Sequence, residues 1–300
     1  TVTDEVGESC VDDTTFVVGR APVVAIAAPA DGATVNHGDT VTFVGSISDL
    51  DDSVSTLGVV WSSDRDGLLY EGSPDSSGLS IVTAGALTVG THTITLSATD
   101  SLGLYSTDVV VLDVNGLPTA PVVEINPDPA NTLDTLGVDI VVASVDPEGS
   151  PITYRYEWFL AGVIAGEAGT VAPELTAKGQ AWQVRVTPTD GTGEGAPGTA
   201  DRVIVNSVPV IHAAEIGPDP LVTNSIATTI LTVTDPDGDE LTHSHTWAVD
   251  GVPVGDASGF LDGLLYFDKH QLVSVRVIPS DDEAPGEPID ATPVFVQNAP

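Results

Sequence analysis

Apolar and polar residues alternate with period two along much of this chain. The clearest runs are TVTFVGSIS (40–48), THTITLSA (91–98), ITYRYEWF (152–159) and WQVRVTP (182–188). Side chains of a strand point alternately to its two faces, so each run predicts a strand buried on one side and wet on the other. No stretch keeps a helical period. Turns rich in Gly, Asp and Pro divide the strands at short intervals, which predicts about seven short strands in roughly every 90 residues.

The pattern itself recurs. A small apolar residue followed by Pro marks four places, Ala21-Pro22, Leu117-Pro118, Val208-Pro209 and Ala299-Pro300, at intervals of 96, 91 and 91 residues. Three of the four follow an Asn, in NGLP (115–118), NSVP (206–209) and NAP (298–300). Proline fixes φ and donates nothing to a ladder, so it suits the start of an edge strand and reads as a junction. Between junctions the second and third segments align almost without gaps. INPDP (125–129) matches IGPDP (216–220), DPEGSPITY (146–154) matches DPDGDELTH (235–243), Trp158 matches Trp247, and VRVTPTD (184–190) matches VRVIPSD (275–281). The first segment is a more distant copy, with SDLDD (48–52) ahead of Trp61 and a THTITLSATD strand (91–100). Residues 1–22 resemble residues 96–118, so the chain is expected to open within one domain and close where another begins. It has no Met, which fits a slice of a longer array.

Seven short alternating strands per unit, with a Trp in a central strand, form the pattern of an immunoglobulin-like β-sandwich. The fold class expected is all-β, with tandem immunoglobulin-like sandwiches of about seven strands each in an elongated array. The divisions expected are 1–20 as the C-terminal strand or strands of a preceding domain, then 21–117, 118–208 and 209–300. The DPDGDxLTxxxxW pattern at 235–247, followed by VRVIPSDD, resembles bacterial Ig-like repeats of the PKD and cadherin-like groups. Weaker copies at 146–158 and 49–61 extend that resemblance over nearly the whole chain. It implies a secreted or surface protein that uses such repeats as spacers, stalks, adhesive modules or accessory domains of hydrolases. Cadherins ligate calcium with Asp-rich junctions. NSVP and NAP lack those carboxylates, so the resemblance does not extend to calcium-stiffened junctions.

Charge narrows the partners. Forty-four Asp and Glu stand against eight Lys and Arg, a formal net charge of −36. Such a surface cannot displace counterions from phosphates, which excludes a nucleic-acid binder and disfavours anionic membranes. At 41% hydrophobic residues, real cores remain affordable. No apolar run reaches the length needed to span a bilayer, so no membrane insertion is expected in this segment. The lone Cys10 cannot form a disulfide within the chain, and a bond to a Cys in the remainder of its own domain is the expectation.

Calcium is the ligand these acids suit best. Asp235, Asp237 and Asp239 alternate with Pro236 and Gly238, offering hard oxygens on a tight loop. Asp281, Asp282 and Glu283 are expected at the same end of the sandwich. The second segment offers Asp146, Glu148 and Asp190, and the first Asp49, Asp51, Asp52 and Asp100. The competing reading is that Asp-Pro-Asp-Gly is turn chemistry on a solvated surface. His243 and His245 share a strand face at metal-binding spacing, but they replace Tyr154 and Tyr156, which favours a structural role. His92 is expected to make local hydrogen bonds. Lys178 and Lys269 occupy equivalent positions, as do Arg185 and Arg276, and structural ion pairs are expected at all four. No nucleophile elbow or phosphate loop occurs, so no catalytic site or other cofactor is expected.

The function expected is therefore a non-enzymatic structural segment of a large bacterial cell-surface or secreted protein, as a stalk, spacer or fibre-forming array. Its partners would be neighbouring repeats of the same longer chain, or copies joined as a homo-oligomer or filament by strand addition. The alternatives are an adhesive or carbohydrate-binding module, and accessory repeats of an exoenzyme.

Overall fold

The computed structural model describes residues 2–3, 5–7, 9–10, 17–255 and 257–298. Nearly all regular structure is β. Val2–Thr3 pairs antiparallel with Ser9–Cys10 in a two-stranded sheet. The side chain of Cys10, and with it the expected disulfide, lies outside the described residues.

Three successive pairs of sheets follow. In the first sandwich, Val23–Ala28, Val41–Ser48 and Leu79–Ala84 form a three-stranded sheet. It faces a five-stranded sheet in the order Ala33–Asn36, Tyr105–Asn115, Gly90–Thr99, Gly58–Ser63, Gly67–Gly72. The second sandwich repeats the scheme. Val122–Asn126, Leu136–Val142 and Thr170–Val171 form one sheet. Ala130–Asn131, Gly198–Val205, Ala181–Thr189, Thr153–Leu160 and Val163–Gly166 form the other. In the third, Val210–Gly217, Ile226–Thr234 and Phe260–Asp262 lie in one sheet. Val252–Val254, Thr242–Val249, Leu272–Ser280 and Ile289–Asp290 lie in the other.

The PDP motifs have a topological cause. In each sandwich the first strand leaves one sheet and its continuation joins the last strand of the other in parallel. Pro29, then Pro127 and Pro129, then Pro218 and Pro220 stand at that crossing, where a residue without an N–H leaves no ladder bond unmade. The alternating runs bury what they predict. Val41–Ser48 places Val41, Phe43 and Ile47 inward, and Gly90–Thr99 does the same with Ile94, Leu96 and Ala98. Trp61, Trp158 and Trp247 sit at the centres of the three cores, each at most 1% exposed. A buried indole needs an acceptor for its N–H. Ser80 Oγ, Ala168 O and Ser258 O supply one to each Trp at 2.9–3.0 Å.

By compactness the chain divides into two units. One comprises residues 1–120, 144–154 and 188–196, and the other residues 121–143, 155–187 and 197–300. The first sandwich and the loops at one end of the second thus lie in the first unit. The third sandwich and most of the strands of the second lie in the other.

Candidate functional site

The acidic loops follow one plan. The first Asp of each loop caps it as an Asx turn, its Oδ1 accepting two later backbone N–H groups. Asp49 accepts from Asp51 and Asp52, Asp146 from Glu148 and Ser150, and Asp235 from Asp237 and Asp239, at 2.7–3.2 Å. The Oδ2 of all three is buried and without a hydrogen-bond partner. Asp100, Asp190 and Asp281 cap the second acidic loop of each sandwich in the same manner.

The next carboxylate in each first loop takes a different partner. In the first unit, the backbone N–H of Arg20 donates to Asp51 Oδ2 at 2.8 Å, and that of Gly116 to Glu148 Oε1 at 2.9 Å. In the second unit, the N–H of Ser207 donates to Asp237 Oδ2 at 2.6 Å. Arg20, Gly116 and Ser207 each stand two residues before a junction proline. The junction asparagines engage the second acidic loop. Asn115 Nδ2 donates to Asp190 Oδ2 and Asn206 Nδ2 to Asp281 Oδ2, both at 2.8 Å. Each linker is therefore held by the acidic loops of the sandwich that follows it.

The junction within the second unit carries further contacts. The Thr132 hydroxyl donates to Asp237 Oδ1 at 2.6 Å. The Lys178 ammonium lies 2.6 Å from both Asp239 Oδ2 and Glu283 Oε1, and 3.0 Å from Asn206 Oδ1. The hydrogen bond to Asp239, then that to Glu283, raises the pKa of Lys178 well above the usual lysine value. The Asn206 amide, with the N–H groups of Ala284 and Glu283, holds Asp281 below the usual carboxylate range. Burial opposes the same shift at Asp190, but the Asn115 amide and the N–H groups of Gly193 and Thr192 outweigh it.

Among the described residues, Asp235, Asp237 and Asp239 form the one group of three that brings ligand oxygens within 4.8 Å of one another. Asp281 and Asp282 do not join that group, nor do Asp146, Glu148 and Asp190 come together as one. A hard cation suits the three-carboxylate set, and the unpaired Asp235 Oδ2 offers it a free ligand atom. Asp237 and Asp239 already serve protein donors.

The other candidates resolve into structure. His92 is fully buried, with Nδ1 2.8 Å from Ser63 Oγ and Nε2 2.6 Å from the Thr88 carbonyl. His245 lies 3.0 Å from Thr229 Oγ1, and its ring is 6.4 Å from that of His243. Arg276 forms a two-pronged pair with Asp290 at 2.8 Å, while Arg185 lies over the Phe159 ring and 3.5 Å from Glu157. Lys269 departs from the expectation. It is exposed and forms no ion pair among the described residues.

Comparison with known proteins agrees with this architecture. Residues 22–96 match the family model of the bacterial Ig domain. Bacterial Ig domains usually occur in surface or secreted proteins, and no helix among the described residues is long and apolar enough to cross a membrane. No curated protein matches the sequence. Similar solved structures include the fibronectin(III)-like modules of Clostridium thermocellum CbhA, at 16% identity over 61% of this chain and 94% of that one, with a TM-score of 0.32. Another is the three N-terminal domains of the bacteriophage RB49 highly immunogenic outer capsid protein, at 13% identity over 93% and 100%, TM-score 0.32. A third is a Bacteroides ovatus protein, SGBP-B of a mixed-linkage glucan utilization locus, at 15% identity over 94% and 71%, TM-score 0.25. At these scores the tandem Ig-like assignment rests on the sheets themselves and on the family match.

Proposed function

We propose that this chain is a non-enzymatic spacer, a run of Ig-like domains over 21–117, 118–208 and 209–300 within a large bacterial cell-surface or secreted protein. Residues 1–20 are the end of a preceding domain in the same reading. The observation that carries it is the recurring clamp, in which Asp51, Glu148 and Asp237 each accept the N–H of a linker residue. A spacer needs each module set at a fixed angle to the last, and a linker tied down at backbone and side chain limits bending. The acids thereby act inward on their own chain and need no external basic partner. Limited proteolysis tests the reading. Linkers 115–118 and 206–209 should resist cleavage in the intact chain and become sensitive when Glu148 or Asp237 is replaced by Ala. Equal sensitivity before and after replacement would refute it.

We further propose calcium as the ligand of the Asp235, Asp237 and Asp239 loop, supported by the unpaired Asp235 Oδ2. The Lys178 ammonium on Asp239 competes with the ion there, since both neutralise the same carboxylate. Calcium should therefore bind more tightly once that ammonium is removed.

A further inference from the structure

The end of the second sandwich that meets the third is built from Thr132, Lys178 and Asn206, and all three side chains are engaged by acids of residues 235–239 and 281–283. The third sandwich carries the same construction at its own far end. Its hydrogen bonds establish the equivalence. The N–H of Gly179 donates to Ile204 O and that of Ile204 to Gln180 O, while the N–H of His270 donates to Val296 O and that of Val296 to Gln271 O. Lys178 and Lys269 stand just before the first donor of each set. Asn206 and Asn298 stand two residues after the second. The N–H of Asn131 is capped from Asp134 and that of Val222 from Ser225, which sets Thr132 against Thr223. Among the described residues, the side chains of Thr223, Lys269 and Asn298 make no hydrogen bond or ion pair, and Lys269 and Asn298 are exposed.

We propose that Thr223, Lys269 and Asn298 form a docking surface for another Ig-like repeat of this kind, one that presents a loop like Asp235–Pro236–Asp237–Gly238–Asp239 and a second like Asp281–Asp282–Glu283. Charge and donor type fix the occupant. The surface offers an ammonium, an amide and a hydroxyl, and the equivalent three groups of the second sandwich all meet that pair of acidic loops, beside contacts to Ser207 and Asn206 of their own sandwich and linker. An Asp239-like and a Glu283-like carboxylate would sit on Lys269. An Asp281-like carboxylate would accept from Asn298, and an Asp237-like one from Thr223. The inference rests on the reading of the acidic loops as clamps.

The two lysines of the chain make it testable by amine acylation with peptide mapping. In the 300-residue chain, Lys178 should react at least about tenfold more slowly than Lys269, since each unit by which its pKa is raised removes about tenfold of the reactive free amine. The chain is then extended by repeating residues 210–300 after Pro300, with Lys269→Gln in the added copy so that the original lysine is read alone. Lys269 should now slow to the rate of Lys178, and Asp239→Asn with Glu283→Gln in the added copy should restore it. A Lys269 that reacts equally fast in both chains overturns the docking surface. So does an added copy that fails to fold, because the sandwich of Val210–Gly217 to Val294–Phe295 is folded on the equivalent surface after Pro209. Should Lys178 react as fast as Lys269 in the original chain, the clamp reading itself fails as well.

Discussion

Replacing Asp237 by Ala isolates the clamp at a single carboxylate. Its Oδ2 accepts the Ser207 N–H and its Oδ1 the Thr132 hydroxyl, both at 2.6 Å. Thr132 keeps a second partner in Ser207 Oγ, also at 2.6 Å, so its loss is partial. Ser207 is only 2% exposed, so water does not readily replace the acceptor at its N–H. An unmade hydrogen bond at a buried group costs about 1–3 kcal/mol, and one to a charged acceptor contributes about 1.5–3 kcal/mol. Against this, removing Asp237 relieves its repulsion with two neighbours, about 1 kcal/mol each at the dielectric of bulk water, and the Lys178 ammonium already offsets that from Asp239. The net expectation is a loss of about 1–3 kcal/mol. Asp237→Asn gives the same charge relief but keeps an oxygen acceptor, so it should be milder than Ala by about 1 kcal/mol. Denaturant unfolding followed by Trp fluorescence gives the stability, and amide hydrogen exchange at Ser207 gives the local bond. The reasoning is refuted if Asp237→Ala falls within about 0.5 kcal/mol of the parent, the range of an unremarkable surface change, and Ser207 exchanges at an unchanged rate.

Three further outcomes are expected. Asn206→Ala should destabilise the chain at neutral pH by about 1–2 kcal/mol. Asp281 is held below the ordinary aspartate value of 3.8, first by the Asn206 amide, so the contribution is present above that value and the difference should shrink as pH falls through the lower folded-state pKa. A constant difference down to strong acid would count against the pairing. His245 is held below the ordinary histidine value of 6.5, first by burial and then by the charge of His243. The folded state thus binds fewer protons than the unfolded one, and stability should fall as pH drops below 6.5. The counterpart residue, introduced as His245→Tyr, should flatten that slope in denaturation midpoints compared at pH 7.5 and 5. Millimolar calcium should raise the melting temperature of Lys178→Met by more than that of the parent, and the absence of any shift in either protein sinks the calcium proposal.

Much of the fold is legible in the residues because its cause is local. Alternation in 40–48 and 91–98 states which side chains are buried, and the Trp positions mark the cores directly. The crossing of the first strand between sheets is less legible. INPDP and IGPDP show that a break exists, but which sheet the chain joins afterwards depends on pairing with a strand some 75 residues away. The acidic loops are half legible. Their Asx-turn chemistry follows from Asp-Pro-Asp-Gly, whereas the partner of the following carboxylate is a backbone N–H, which every residue type but proline supplies. One signal was present. The Asn of NGLP and NSVP recurs in step with the acids at 190 and 281, and a side chain repeated before a junction has something to hold. Lys269 shows the limit of repeat arithmetic, since equivalence assigns it the role of Lys178 but cannot supply the acids that perform it.

The crossing of the first strand has a mechanical consequence. Tension applied through the two ends of a sandwich pulls its first and last strands along their length in opposite directions. Parallel hydrogen bonds between them are then loaded together in shear and must fail as a set. Among the described residues, that seam has four register pairs between Ala33–Asn36 and Tyr105–Asn115, two between Ala130–Asn131 and Gly198–Val205, and a single bridge between Val222 and Gln297. Stretched as a single molecule, the chain should give way first at its third sandwich and last at its first, which makes it a graded fuse rather than a uniform rope.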